Sequence, residues 1–174
     1  MFGIELLAKI IKILRSGATP PQIAGGFILG MILGLTPLWS LHNLVVVIIV
    51  ILFTVNISAV LFSFLIFSLF AYIFDPLFHN LGYFVLVDIP ALKGLWTSLY
   101  NIPIIALSNF NNTVLMGSLL TSLVLLIPVY FLIKTGVIAY RENIDAKIQK
   151  WKIIKAIKGS KIFTWYEKIK SLGE

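Results

Sequence analysis

The sequence predicts an all-α integral membrane protein. Its expected parts are broken or re-entrant helical hairpins plus two to four transmembrane helices, an amphipathic N-terminal helix and a basic helical C-terminal tail. Three observations predict this. No Asp, Glu, Lys or Arg occurs from Ser16 to Phe74, nor from Gly94 to Ile133. A hydrocarbon core about 30 Å thick is crossed by about 20 apolar residues, and a helix satisfies its own backbone there. The chain is 59% hydrophobic and 12% charged, against about 25% charged in an ordinary soluble domain. The cations are also sorted: of 14 Lys and Arg residues, only Lys93 lies between positions 16 and 133. Lys and Arg collect on the cytoplasmic side. A multi-pass chain with both termini cytoplasmic and an even number of full crossings follows, with residues 88–112 on the far side.

Several classes of protein are disfavoured. There is no cysteine, so disulfides, thiolate nucleophiles and Cys-based metal sites are absent. The net charge of +7 invites a nucleic-acid reading, but the same Lys residues serve as anchors for an anionic leaflet. No nucleic acid is expected as a partner. The first apolar run is interrupted by Lys9, Lys12 and Arg15, which argues against a cleaved signal peptide. No Gly-rich phosphate loop, carboxylate pair or Ser/His/Asp cluster is present. Neither an enzyme nor a cofactor is expected.

In order along the chain, residues 1–18 form an amphipathic interfacial helix. Ile4, Leu7, Ile11 and Leu14 share one arc, and Glu5, Lys9 and Lys12 the other. Residues 19–134 form the membrane domain. Thr19-Pro20-Pro21 starts a helix, which Thr36-Pro37 ends. A second apolar stretch over 39–55 completes a hairpin that either re-enters or spans. Asn56 is a polar turn. The helix over 57–74 is expected to break at Asp75-Pro76, leaving 77–87 as a separate short piece. Residues 113–133 return the chain, and 135–174 form a basic cytoplasmic helical tail striped by Val137, Tyr140, Ile144, Ile148 and Trp151, then Trp165, Ile169 and Leu172.

Four features bear on function. Gly26, Gly30 and Gly34 make a bare helix face ending at Pro37; such faces let backbones approach in lipid. The face suits packing against the 39–55 helix, a lipid groove, or homo-oligomerisation. Pro37-Leu38-Trp39 with His42-Asn43-Leu44, and Pro76-Leu77-Phe78 with His79-Asn80-Leu81, read as a repeated broken-helix unit. His42, His79 and Asp75 are its ionisable groups; a shared polar cavity among them would mark a small transporter or channel, the alternative function. Leu92, Leu95, Trp96 and Leu99 fall on one face of a short helix in the far-side loop, a candidate docking surface for a partner.

The run Pro21-Gln22-Ile23-Ala24-Gly25-Gly26-Phe27, followed by Gly30, Gly34 and Pro37, resembles the opening of a bacterial membrane family, domain of unknown function 2062. Asn56, Asp75-Pro76 and Leu81-Gly82 resemble its later polar and Pro/Gly positions, with Asp where the family usually has Asn. The resemblance covers roughly residues 20–87. It implies a location in the bacterial inner membrane. The Asn111-Asn112-Thr113 stretch and the basic tail resemble a subgroup encoded beside a periplasmic AsmA-like protein, itself similar to bridge-type lipid carriers. What the resemblance implies is a non-enzymatic partner of such a bridge, handling membrane phospholipids.

Overall fold

The computed structural model describes residues 2–145 and residue 165. Every regular element among them is helical. α1 (Phe2–Arg15) leads into α2 (Pro20–Leu35). A capping box opens α2: Gln22 N donates to Thr19 Oγ1 at 3.4 Å and Thr19 N donates to Gln22 Oε1 at 2.7 Å. The helix stops because Pro37 forces Thr36 into an extended conformation, φ −100° and ψ 153°. α3 (Leu41–Leu52) follows, then α4 (Ile57–Tyr83), extended by a π-helical turn over Phe84–Asp88. α5 (Lys93–Tyr100) and α6 (Pro103–Ala106) are short. α7 (Thr113–Ala139) runs past position 134 into a π-helical turn over Tyr140–Asp145.

Two of these helices, Ile57–Asp88 and Thr113–Asn143, are long and apolar enough to cross a membrane. α2 and α3 are shorter, about 24 and 18 Å at 1.5 Å per residue. The core is a three-helix arrangement of α2, α4 and α7. Gly26, Gly30 and Gly34 lie against Asn56, Val60 and Phe64 in turn, so α2 and α4 advance together and are parallel. α7 is antiparallel to both. Val137 near its end packs with Ile23 and Ala59 near the starts of α2 and α4, and Phe78 near the end of α4 meets Gly117 near the start of α7. α3 folds back along α2. Asn56 N donates to Gln22 O at 3.1 Å, so the hairpin returns to the end of the bundle where it began.

Three sequence expectations change. The first concerns the break at Asp75-Pro76. α4 runs straight through Pro76, so 77–87 is the last part of one long helix. Proline removes one backbone bond, but a long helix holds on both sides of it, as apolar helices packed on neighbours commonly do. The second follows from it: Pro37 ends a helix whereas Pro76 lies inside one, so the two units of the expected repeat are not alike. The third is the partner of the glycine face. It is α4 and not α3. α4 offers Ala59, Val60 and Ser63, all buried, whereas α3 is a wall of Val and Ile most of whose side chains are exposed.

α1 ends on the bundle. Ile13 is buried with Ile23, Ala59 and Val137, while Lys9 and Lys12 are exposed. The tail stripe beyond residue 145, apart from exposed Trp165, lies outside the described residues.

Candidate functional site

Two polar constructions sit at opposite ends of an otherwise apolar bundle. The first gathers the ends of α1, α2, α4 and α7. Asn56 Oδ1 accepts from Ala59 N at 2.8 Å and caps α4, while its Nδ2 donates to Ser16 Oγ at 3.0 Å. Ser16 Oγ in turn donates to Ile13 O at 2.7 Å. Arg141 reaches back from the other end of the sequence. Its Nε donates to Leu14 O at 2.9 Å, and its Nη2 to Ser16 O at 3.0 Å and Ala18 O at 2.9 Å. These carbonyls lie at and just beyond the end of α1, where no helical N–H is available. One guanidinium therefore fixes the α1–α2 linker, a use its fork of donors suits.

The glycine face joins this end to the middle. A Cβ on Gly26 would strike the Asn56 carbonyl, one on Gly30 the Val60 carbonyl, and one on Gly34 the Phe64 carbonyl. Ser63 Oγ donates to Phe27 O at 2.6 Å across the same contact. This face is filled by packing, which leaves no groove along it.

The second construction is the hairpin tip. Asn43 is buried, and its Nδ2 donates to Pro37 O at 2.9 Å and Leu38 O at 3.4 Å. The Thr36 hydroxyl shares its hydrogen between Ile32 O at 2.7 Å and Asn43 Oδ1 at 2.9 Å. A buried polar group so fully paired stiffens its loop. The rigid tip holds Trp39 out, 97% exposed. It stands beside Asn109, Asn111 and Asn112, which with Pro37, Trp39 and Leu115 line a cavity of about 380 Å³.

The far-end segment 88–112 folds onto α4. Trp96 Nε1 donates to Val85 O at 3.0 Å. The π-type partner of that carbonyl would be Pro90, which has no N–H. Trp96 and Tyr100 also pack on Phe110, with ring centroids 6.0 and 6.3 Å apart. Leu92, Trp96 and Leu99 are half-buried and Leu95 is exposed. The face read as a docking surface is thus mostly spent on holding the segment down. Exposed apolar side chains here are Leu95, Tyr100, Ile102, Ile104 and Leu107.

The histidines are engaged separately. His42 Nε2 lies 3.2 Å from Ser40 Oγ, and His79 Nδ1 lies 2.7 Å from Thr113 Oγ1. Asp75 is half-buried on α4. Among the described residues, no cluster of three or more His, Asp or Glu side chains is placed to hold a metal.

A family model described as "Uncharacterized protein conserved in bacteria", domain of unknown function 2062, matches residues 6–144. The chain belongs to this family. The matched stretch begins inside α1 and ends just beyond Arg141, so it takes in both polar constructions. A relative from Treponema pallidum (strain Nichols), described as an uncharacterized protein, is 28% identical over 145 residues, covering 83% of this chain and 89% of its own. No solved structure matches the chain.

Three features escape a reading of the sequence. Gly82 and Gly117 form the closest helix contact: a Cβ on Gly82 would meet the Thr113 carbonyl, and one on Gly117 the Phe78 carbonyl. Neither belongs to a stripe of glycines three or four residues apart, so no spacing signals it. Arg141 is one cation in a basic stretch, and its reach over 127 positions to Leu14 leaves no local trace. Asn43 was visible as a polar residue at the start of an apolar run, the pattern that also picks out Asn56.

Proposed function

We propose that this chain is a bacterial inner-membrane protein, multi-pass with both termini cytoplasmic, that works without catalysis. In this reading it forms the membrane end of a periplasmic AsmA-like bridge and assists phospholipid transfer toward the outer membrane. α4 and α7 cross the bilayer, and the α2–α3 hairpin re-enters from the cytoplasmic side. One observation carries the reading. A hairpin whose arms are about 24 and 18 Å long, too short for a core of about 30 Å, is clamped by the bare glycines of α2 to α4, which like α7 is long enough to cross it. Its tip nevertheless stands beside Asn109, Asn111 and Asn112 at the start of α7, so a bilayer that fits the hairpin is thinned against it, a distortion that favours lipid movement more than catalysis or simple anchoring. The separate engagement of His42 and His79 gives no support to the transporter reading.

The partner would meet the far-end segment through its exposed apolar side chains. Co-purification of the full chain with the AsmA-like protein, in detergent and in nanodiscs, tests this. The expected outcome is a stoichiometric complex that Leu95→Glu and Leu107→Glu weaken without lowering the amount of inserted protein. Failure to recover the pair in both media would sink the bridge reading.

A further inference from the structure

Two cavities of opposite character meet at Trp39. The first, about 630 Å³, lies between the hairpin and α4, with Leu33, Leu44, Val47, Leu61 and Phe64 in its walls. The second is the cavity of about 380 Å³ built from Asn109, Asn111, Asn112, Pro37 and Leu115. Trp39 lines both. The first is walled almost wholly by carbon. The second offers three side-chain amides, and no charged side chain lines either one.

We propose that these two cavities, neighbours through Trp39, together hold one phospholipid, with an acyl chain in the slot between hairpin and α4 and the glycerol-phosphate portion against the asparagine amides. This rests on the lipid-handling reading above and assigns it a site. Each of the two cavities lies within the range of small-molecule sites, about 300–1,000 Å³. The slot holds little more than about one turn of a peptide helix, which is 10–12 Å across and rises 5.4 Å per turn, so a slender acyl chain fits its depth better. The head pocket is chemically suited. Asn112 Oδ1 is used by Leu115 N at 3.0 Å, which leaves its amide N–H groups for a guest. Among the described residues, the side chains of Asn109 and Asn111 have no hydrogen-bond partner. Amides both donate and accept, so they serve phosphate oxygens, glycerol hydroxyls and ammonium hydrogens alike. Trp39 supplies a flat apolar face with a polar edge at the junction, the position indole takes between lipid tails and headgroups. Because no charge lines the site, retention should not depend on ionic strength.

The test uses the purified full-length protein alone, in vesicles of phosphatidylethanolamine and phosphatidylglycerol. A trace of phosphatidylethanolamine with a diazirine on one acyl chain serves as the probe. Photolysis is expected to label Leu44, Val47, Leu61 and Phe64 well above Val124 and Ile127, which lie exposed on α7. Val47→Trp fills the slot and should lower that labelling about tenfold; Val124→Trp should leave it unchanged. If Val47→Trp does not accumulate, Leu61→Trp closes the slot from the α4 side. Equal labelling of Val124 and Val47, full labelling of the filled slot, or labelling that falls as salt is raised would each overturn the site. No partner is present in this measurement. An unlabelled slot in a chain that still recovers its partner removes the site alone, and a labelled slot without partner recovery removes the bridge reading alone.

Discussion

Single atoms decide whether the helices meet. At Gly30 an added methyl group would be driven into the Val60 carbonyl and the Ser63 side chain, and neither can move without moving α4. Gly30→Ala is therefore expected to destabilise the bundle by about 1–3 kcal/mol, the usual cost of overpacking, and Gly30→Leu by more. Gly136→Ala, where a Cβ meets open space, should be close to neutral. Thermal unfolding in detergent, followed by helix content, separates the two. Equal midpoints for Gly30→Ala and Gly136→Ala would show that the close approach is not there. The two capping asparagines offer a second comparison. Asn112 caps α7 through one bond, whereas Asn56 caps α4 and also holds Ser16. Asn112→Ala should cost about 1 kcal/mol, typical of a lost cap. Asn56→Ala should cost about 2 kcal/mol, since a second hydrogen bond goes with it. Equal costs from denaturant titration would mean the Ser16 contact contributes nothing.

At the scale of elements, the legible parts of the sequence were those whose cause is local. Thr19-Pro20-Pro21 starts α2 and Thr36-Pro37 ends it, because capping and proline geometry act within a few residues. The bare face of Gly26, Gly30 and Gly34 was legible as a packing surface, but not its partner, because a glycine stripe says that something comes close and not what. Pro76 misled for the same reason in reverse. Its local effect is to weaken a helix, and the packing of α4 on α2 and α7 outweighs it. Arg141 was not legible, since its three acceptors belong to the opposite end of the chain. It predicts a coupling between elements. Arg141→Ala should free the linker carbonyls of Leu14, Ser16 and Ala18 and loosen α1 while α2, α4 and α7 stay packed. Amide hydrogen exchange should rise over residues 10–19 and stay unchanged over α4. Arg141→Lys should restore only part of the protection, because a single ammonium cannot span three carbonyls as a fork does. Full protection in Arg141→Ala would show that α1 is held by Ile13 and its apolar neighbours alone.

At the scale of the whole molecule, one end is built for charge and the other for contact. Arg141, Lys9 and Lys12 mark the end where α1 docks; the far end carries Lys93, Trp96 and the exposed Leu95, Ile104 and Leu107. The hairpin fixes which connections share an end, because Gln22 and Asn56 are bonded to each other at its base. Gly17 and Thr54 must then lie together, and Ser98 apart from both. α4 with its π-helical turn is 32 residues long, about 48 Å at 1.5 Å per residue. That exceeds a hydrocarbon core of about 30 Å, so its far end, where the 88–112 segment is pinned, should stand clear of the bilayer. The chain has no cysteine, so Gly17→Cys, Thr54→Cys and Ser98→Cys each place one thiol at an exposed position. A membrane-impermeant thiol reagent added to intact spheroplasts is expected to label Ser98→Cys. It should reach Gly17→Cys and Thr54→Cys only after the membrane is opened. If Thr54→Cys were labelled from outside with Ser98→Cys, α2 and α3 together would make a single crossing and α4 none, and the hairpin base could not be closed by the Gln22–Asn56 bond. If Gly17→Cys were labelled with Ser98→Cys, both long helices would lie along the membrane surface or outside it, and the bilayer reading would fail with the topology.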